Sequence, residues 1–298
     1  MKKITLILTL AVTIAFSSSG VFAKTTIGLY NYMPNISGGQ SCQEQYFESL
    51  EAIPSGAAII KDGKCKVQPA CLTFKGLEYC AIMSPDTGRF WLDRNLGASR
   101  VCASFDDADC YGNYYQWGRN DDGHELPTSG TTTTLLSTIT TESDKFVVSA
   151  LGLDWLQDAA RIIDQADGGR ANGWADSSNG GINDICPAGF SVPTEDELRA
   201  DTTHSEEGNT SEGANDIINT ATAFSSFLKI PAAGYRSSDM SAAIKISGSA
   251  AYVRSRSQFQ GHYRPYKQNL FLLAGANYAD ISGEQSNLWG YSVRCIKD

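Results

Sequence analysis

The chain has 298 residues, with 33 acidic against 24 basic side chains, a net charge of −9 and eight cysteines. That balance argues against nucleic acid or an anionic membrane surface as partner, since both reward a basic face. The length admits one large domain or two small ones.

Met1-Lys2-Lys3 is followed by the apolar run Ile4 to Phe16 and by small residues up to Val21-Phe22-Ala23. A basic start, a short apolar core and small residues before the cut predict a cleavable secretory signal at 1–23. The apolar run is too short to span a bilayer comfortably, and residue 24 is Lys, so no lipid anchor is expected. No later segment is apolar enough to predict a membrane span. The expected product is exported, to the periplasm, the medium or the cell surface.

All the cysteines, at 42, 65, 71, 80, 102, 110, 186 and 295, follow the predicted cut. In an exported chain an even set reads first as disulfides. Cys102 with Cys110, around the acidic loop ASFDDAD, and Cys186 with Cys295 are the expected pairs. For the other four, Cys42 with Cys65 and Cys71 with Cys80 is the simplest arrangement. A structural zinc site is disfavoured, because no CxxC pair occurs and His124, His204 and His262 stand in separate polar stretches.

Residues 24–75 form a small cysteine-containing segment that needs staples to hold a core. Within it, Gln43 to Ile53 is amphipathic and GAAIIKDGKC predicts a hairpin turning at Asp62-Gly63. Leu72 to Met83 reads as one extended run, Ser84 to Gly88 as a turn and Arg89 to Asn95 as a returning strand. Tyr111, Tyr114, Tyr115 and Trp117 suggest core, and Arg119 to Glu125 an exposed charged turn. Residues 129–134 predict a solvated loop. Thr141-Glu142-Ser143-Asp144 reads as a capping box before a short helix carrying Phe146, Val147, Ala150 and Leu151. Trp155, Leu156, Ala159, Ile162 and Ile163 recur at helical spacing, and Asp164 to Asp184 reads as a long loop.

Thr194-Glu195-Asp196-Glu197 is a second capping box, opening a helix from Glu195 to Ala200. Thr202 to Gly213 reads as a loop, and Ile217, Ile218, Ala221 and Phe224 as one helix face. Strands are expected at Leu228 to Tyr235, with Pro231 at an edge or bulge, and at Ala250 to Arg256 and Gln268 to Ala274. The last strand should bury Trp289, Tyr291, Val293 and Cys295 on one face. Helices in the middle and a strand-rich end predict an α+β fold.

Five ordered motifs carry a family resemblance: WLDRNLGAS at Trp91 to Ser99, YGNYYQWGRNDDGHE at Tyr111 to Glu125, CPAGFSVPTEDEL at Cys186 to Leu198, LKIPAAGYR at Leu228 to Arg236 and GYSVRCIKD at Gly290 to Asp298. Together they resemble the Fibrobacter succinogenes major paralogous domain, over roughly Cys80 to Asp298. The resemblance implies a major paralogous domain at 76–298 with a C-type-lectin-like fold, shared with formylglycine-generating enzymes: short helices, a twisted antiparallel sheet and long loops, stapled by disulfides. The chain departs from the family at Tyr252-Val253-Arg254-Ser255, where a WSS-like run is usual.

For chemistry, a two-thiolate oxidase site is disfavoured, because beyond Cys186 only Cys295 remains and the two are expected to bond. Calcium needs six to eight oxygens, and the acidic groups Asp121-Asp122 with Glu125, Asp106-Asp107-Asp109, and Asp164, Asp167 and Asp176 lack a calcium-loop spacing. No cofactor is therefore expected. No GxSxG occurs, so no enzymatic activity is assigned. Binding of an extracellular glycan or a surface protein is the expected role. The candidate ligand residues are Trp174, in NGWADSSNGG and expected to be exposed, with Asp176, Asp121, Asp122, His124, Arg254, Arg256 and Tyr263. Trp155 is expected to be buried, and Trp91, Trp117 and Trp289 to be core.

Overall fold

The computed structural model describes residues 58–61, 64–67, 71–149, 154–157, 173–174, 181–203, 216–258 and 269–298. Side chains are not described at 58–61, 64–67, 258, 269–273 and 282–285. The predicted signal, the amphipathic piece, most of the Asp164 to Asp184 loop and the Cys42–Cys65 pairing lie outside the described residues. The chain divides into two compact units, one of residues 1–70 with 83–88 and one of residues 71–82 with 89–298.

The first unit contains β1 (Ala58–Lys61) and β2 (Lys64–Val67), which pair antiparallel with Lys61 opposite Lys64. An antiparallel pair is what the expected hairpin requires, while its turn residues Asp62-Gly63 lie outside the described residues. In the turn 84–88 the Ser84 hydroxyl accepts from the Asp86 and Thr87 amides, each at 3.1 Å.

The described residues of the larger unit are mostly β, with two short α-helices. In chain order its strands are β3 (Cys71–Phe74), β4 (Leu77–Met83), β5 (Phe90–Leu92), β6 (Tyr115–Gln116), β7 (Thr131–Thr132), β8 (Phe146–Val147) and β9 (Phe190–Ser191). Then come α1 (Glu195–Asp201) and α2 (Thr220–Ser225). The remaining strands are β10 (Tyr235–Arg236), β11 (Ile244–Lys245), β12 (Ala251–Gln258), β13 (Asn269–Ala274), β14 (Ala279–Gln285), β15 (Gly290–Tyr291) and β16 (Ile296–Lys297). They form a five-stranded sheet β3-β4-β5-β16-β9, a four-stranded sheet β11-β10-β15-β6 and a three-stranded meander β12-β13-β14. The small pair β7-β8 is parallel. The chain end thus lies between β5 and β9, and its predecessor β15 sits inside a second sheet.

Local chemistry explains where the expected elements changed. The run Leu72 to Met83 is a hairpin rather than one strand: Lys75 and Gly76 both take left-handed backbone, at φ 48° and 77°. That is the geometry of a two-residue hairpin turn whose twist matches the strands. Phe146 and Val147 form a strand rather than a helix. The buried Gln116 amide explains this, donating to Val147 O at 2.9 Å and accepting from Val147 N at 3.1 Å, so the backbone groups a helix would use are taken. At 155–156 there is no helix either, because Leu156 bridges to Leu136 in parallel fashion. Of Leu228 to Tyr235 only the end is strand. Gly234 turns the chain at φ 66°, and a Cβ there would stand 2.1 Å from Lys245 O. β14 has no counterpart among the expected strands.

The helices follow their caps. Thr194 and Glu197 form the reciprocal capping box, with Thr194 N donating to Glu197 Oε2 at 2.8 Å and Glu197 N to Thr194 Oγ1 at 3.2 Å. α2 starts later than its apolar pattern suggests, because Asn219 caps it by accepting from Thr222 N at 2.9 Å. Ile217 is buried ahead of the helix and Ile218 is exposed.

Among the described residues there are three disulfides, Cys71–Cys80, Cys102–Cys110 and Cys186–Cys295. Cys71 stands directly opposite Cys80 in the β3–β4 register, and Cys186 and Cys295 sit together in the main apolar core. Among the described residues no cysteine is free, and no helix is long and apolar enough to cross a membrane. Multiple disulfides fit an oxidising compartment.

Buried arginines tie the quoted motifs to one another. Arg294 donates to Leu92 O at 3.2 Å, Leu228 O at 2.7 Å and Asn95 Oδ1 at 3.0 Å. Arg236 donates to Leu126 O at 2.9 Å and to Ser129 O at 2.6 Å, while Tyr114 Oη donates to Ala233 O at 2.8 Å. Loop carbonyls with no strand partner are satisfied this way.

Candidate functional site

Of the sequence-predicted ligand residues the structure brings Asp122, His124 and Trp174 together around Arg119, and it does so in the interior rather than at the surface. Trp174 is 1% exposed, against the expected exposure, and its Nε1 donates to Arg119 O at 2.9 Å. The preceding Gly173 allows the insertion, since a Cβ there would meet Gly118 O at 2.3 Å. A polar neighbourhood in sequence therefore carries a core tryptophan. Asp176 and Tyr263 lie outside the described residues, as do Asp164 and Asp167. Trp155, Trp91 and Trp117 are buried as expected.

Asp121, Asp122, His124 and Glu125 were expected on an exposed turn, but this segment is largely inside. Asp121 pairs with Lys75, and Asp122 and His124 are almost fully buried. Asp122 Oδ2 accepts from Arg119 Nη2 at 3.1 Å and Ser143 N at 2.9 Å, and its Oδ1 meets His124 Nδ1 at 2.7 Å. His124 Nε2 accepts the Gln116 amide at 3.2 Å. That bond fixes the tautomer: Nε2 is the acceptor, so Nδ1 carries the proton and donates to Asp122. Asp122, His124 and Glu125 lie close enough together to hold a metal, yet neither imidazole nitrogen has a lone pair to offer in this arrangement. The cluster reads as a structural clasp on β6 and β8. The other acidic turn is similarly engaged, with Asp107 accepting from Arg100 and from Ala103 N at 3.0 Å.

Burial depresses the His124 pKa from 6.5 to about 4, because the imidazolium would be desolvated beside Arg119. The folded state therefore prefers the neutral ring, and its stabilisation is full above pH 6.5 and lost as pH falls towards 4. The expected size is about 3 kcal/mol. Urea unfolding midpoints should drop between pH 6.5 and 5 in the wild type, and this drop should vanish in His124→Gln. An unchanged slope in that variant contradicts the clasp.

The strongest surface feature was not among the expected ligand residues. Tyr235 from β10, Tyr252 from β12 and Trp289, just before β15, are each partly exposed and meet over the buried Tyr291. Tyr235 stacks on Trp289 with centroids 4.6 Å apart and planes at 6°, and Tyr252 stacks on Tyr291 at 5.0 Å and 16°. Tyr235 meets Tyr252 edge-on at 5.4 Å. The exposed Tyr278 is near enough to help push the Tyr252 hydroxyl up to about 12, although burial is the larger cause. Sheet pairing builds the group. Arg236 opposes Gly290, which sets Tyr235 beside Tyr291, and residues 289 and 291 share a face at the two-residue period. Trp289, expected as core, instead packs its inner edge on the Trp155 and Leu288 cluster and leaves the rest at the surface.

Arg254 lies on the same side of β12 as Tyr252 and is fully buried, with Cζ 4.2 Å from the Tyr291 ring centroid. Its Nη2 donates to Trp289 O at 2.5 Å. Arg256, two residues on, is partly buried, and its backbone N donates to Pro193 O at 2.7 Å. The geometry offers flat, partly exposed rings with hydroxyl and indole edges above a buried cation. Such a surface suits stacking on a sugar face with hydrogen bonds to its hydroxyls.

Comparisons with protein-family models, with curated proteins and with solved structures each return no match to this chain.

Proposed function

We propose that this chain is an exported, non-catalytic binding module that recognises a glycan or another extracellular polymer through Tyr235, Tyr252, Tyr278 and Trp289. The single observation that carries the reading is the stacked, partly exposed Tyr235–Trp289 pair at the surface. The five motifs, the short capped helices and the interleaved antiparallel strands support a C-type-lectin-like fold of the major paralogous type. The predicted signal and the three disulfides support export. The bond between Cys186 and Cys295 argues against an oxidase of the formylglycine-generating type, which would need both as thiolates.

A structural or adhesive subunit of a surface assembly is the second reading. It is favoured by the exposed Met240, Ile244 and Ile246 around β11, an edge strand. A glycan array separates the two. The glycan reading expects saccharide binding that survives a calcium chelator and weakens roughly ten-fold in Trp289→Ala. An array without signal, together with co-purification of envelope or filament proteins, favours the second.

A further inference from the structure

Among the described residues five buried arginines punctuate the larger unit, and four are richly bonded by their surroundings. Arg294, Arg236, Arg119 and Arg94 each donate to several carbonyl, amide or carboxylate oxygens. Arg254 differs. Its guanidinium has five N–H groups, and among the described residues Trp289 O is its single hydrogen-bond acceptor, while Nε and Nη1 are buried without one. The Tyr291 ring face lies against it, and among the described residues no carboxylate pairs with it. Its neighbour Ser292 also has a buried Oγ with no partner among the described residues, on the residue whose carbonyl accepts the Arg254 amide at 2.9 Å.

A desolvated cation with empty donors costs stability that a structural arginine would recover through bonds. Burial drives the Arg254 pKa down to about 9, against a smaller opposing effect of Tyr291. Uncompensated polar groups beside a surface of ligand-type rings mark a place where a partner completes the bonding. Nη2 keeps one hydrogen, which with Nη1 or with Nε forms a fork that a planar oxyanion meets once the rings over it part.

We propose that the aromatic surface takes an acidic saccharide, a sugar bearing a ring carboxylate of the uronic acid kind, with that carboxylate on Arg254 and the sugar faces on Tyr235, Tyr252 and Trp289. The inference rests on the glycan reading and narrows it. The ligand's negative charge is compensated locally, so the overall acidity of the chain selects against acids elsewhere while this point admits one.

The test pairs binding with stability, on the full mature chain. Calorimetric titration would use oligomers of galacturonate, glucuronate and mannuronate, their methyl esters, and sulfated neutral oligomers. At least one acid should bind ten-fold or more tightly than its ester, and Arg254→Met should bring the acid down to the level of the ester. Arg254→Met should also melt about 2–4 °C above the wild type, because an apolar side chain of similar volume replaces an unpaired buried charge. A variant that melts lower shows Arg254 to be a structural staple and overturns the proposal. Equal binding of acid and ester, a preference for the sulfated oligomers, or full acid binding by Arg254→Met overturns it while leaving the glycan reading standing. Absence of binding to every oligomer, acidic or neutral, removes both.

Discussion

An Arg294→Ala variant is expected to lose about 3–5 kcal/mol of folding stability. The side chain is buried, and its guanidinium reaches Leu92 O, Leu228 O and Asn95 Oδ1 at once. Those acceptors come from the first and fourth of the quoted motifs, while Arg294 belongs to the last. Alanine leaves two carbonyls and an amide oxygen without a donor in an interior that water does not reach, and opens a cavity besides. Lysine does not repair the loss, because one ammonium cannot span three acceptors set by a planar fork. Urea unfolding followed by circular dichroism gives the number. The same measurement on Arg254→Met should shift in the opposite direction, although both arginines are fully buried and both are held to a pKa of about 9 by desolvation. Opposite signs at equal burial would show that bonding, rather than burial, decides what a buried arginine contributes. A loss below about 1 kcal/mol for Arg294→Ala would remove the staple from this account.

The second large effect belongs to the disulfide that joins the chain end to its middle. Cys186 and Cys295 are 109 residues apart, and on the chain-entropy estimate such a closure is worth about 5 kcal/mol. The Cys102–Cys110 bond spans 8 residues and by the same estimate contributes roughly half as much. The Cys186→Ala/Cys295→Ala double variant should therefore unfold at much lower urea than Cys102→Ala/Cys110→Ala. Cys295 lies between β15 and β16, so the bond also fixes the segment that crosses between two sheets. Peptide mapping of unreduced protein should recover Cys186 linked to Cys295. Recovery of either as an alkylated monomer would contradict the bond and reopen a catalytic role for sulfur.

Much of the frame was readable in the chain. Cysteine spacing pointed to the Cys102–Cys110 and Cys186–Cys295 pairs, and Thr194 with Glu197 announced α1, because these signals are local or depend on residue type alone. Phe146-Val147 misled because the decisive partner is a side chain from another strand, Gln116, which no helical pattern reveals. Trp174 misled for the converse reason. Its Gly, Asn and Asp neighbours read as solvated, yet Gly173 lets the backbone approach Gly118 closely enough to seat an indole in the core. The aromatic surface was half visible. The two-residue alternation placed Trp289 and Tyr291 on one face, but Tyr235 and Tyr252 reach that face only through sheet pairing over a long stretch of sequence. Arg254 carried the right residue type for an acidic ligand; that its Nε and Nη1 find no acceptor among the described residues is a property of the packed state alone.

The candidate site can be tested by the protein's own fluorescence. Trp91, Trp117, Trp155 and Trp174 are each no more than 1% exposed, while Trp289 is partly exposed, so a ligand on the proposed surface has one indole to touch. Acrylamide quenching of the wild type should be confined to a single accessible tryptophan, and an oligosaccharide that binds should shield it. In Trp289→Phe the accessible component and the saccharide response should both disappear. A saccharide response that persists in Trp289→Phe would place binding elsewhere and contradict the assignment of this surface.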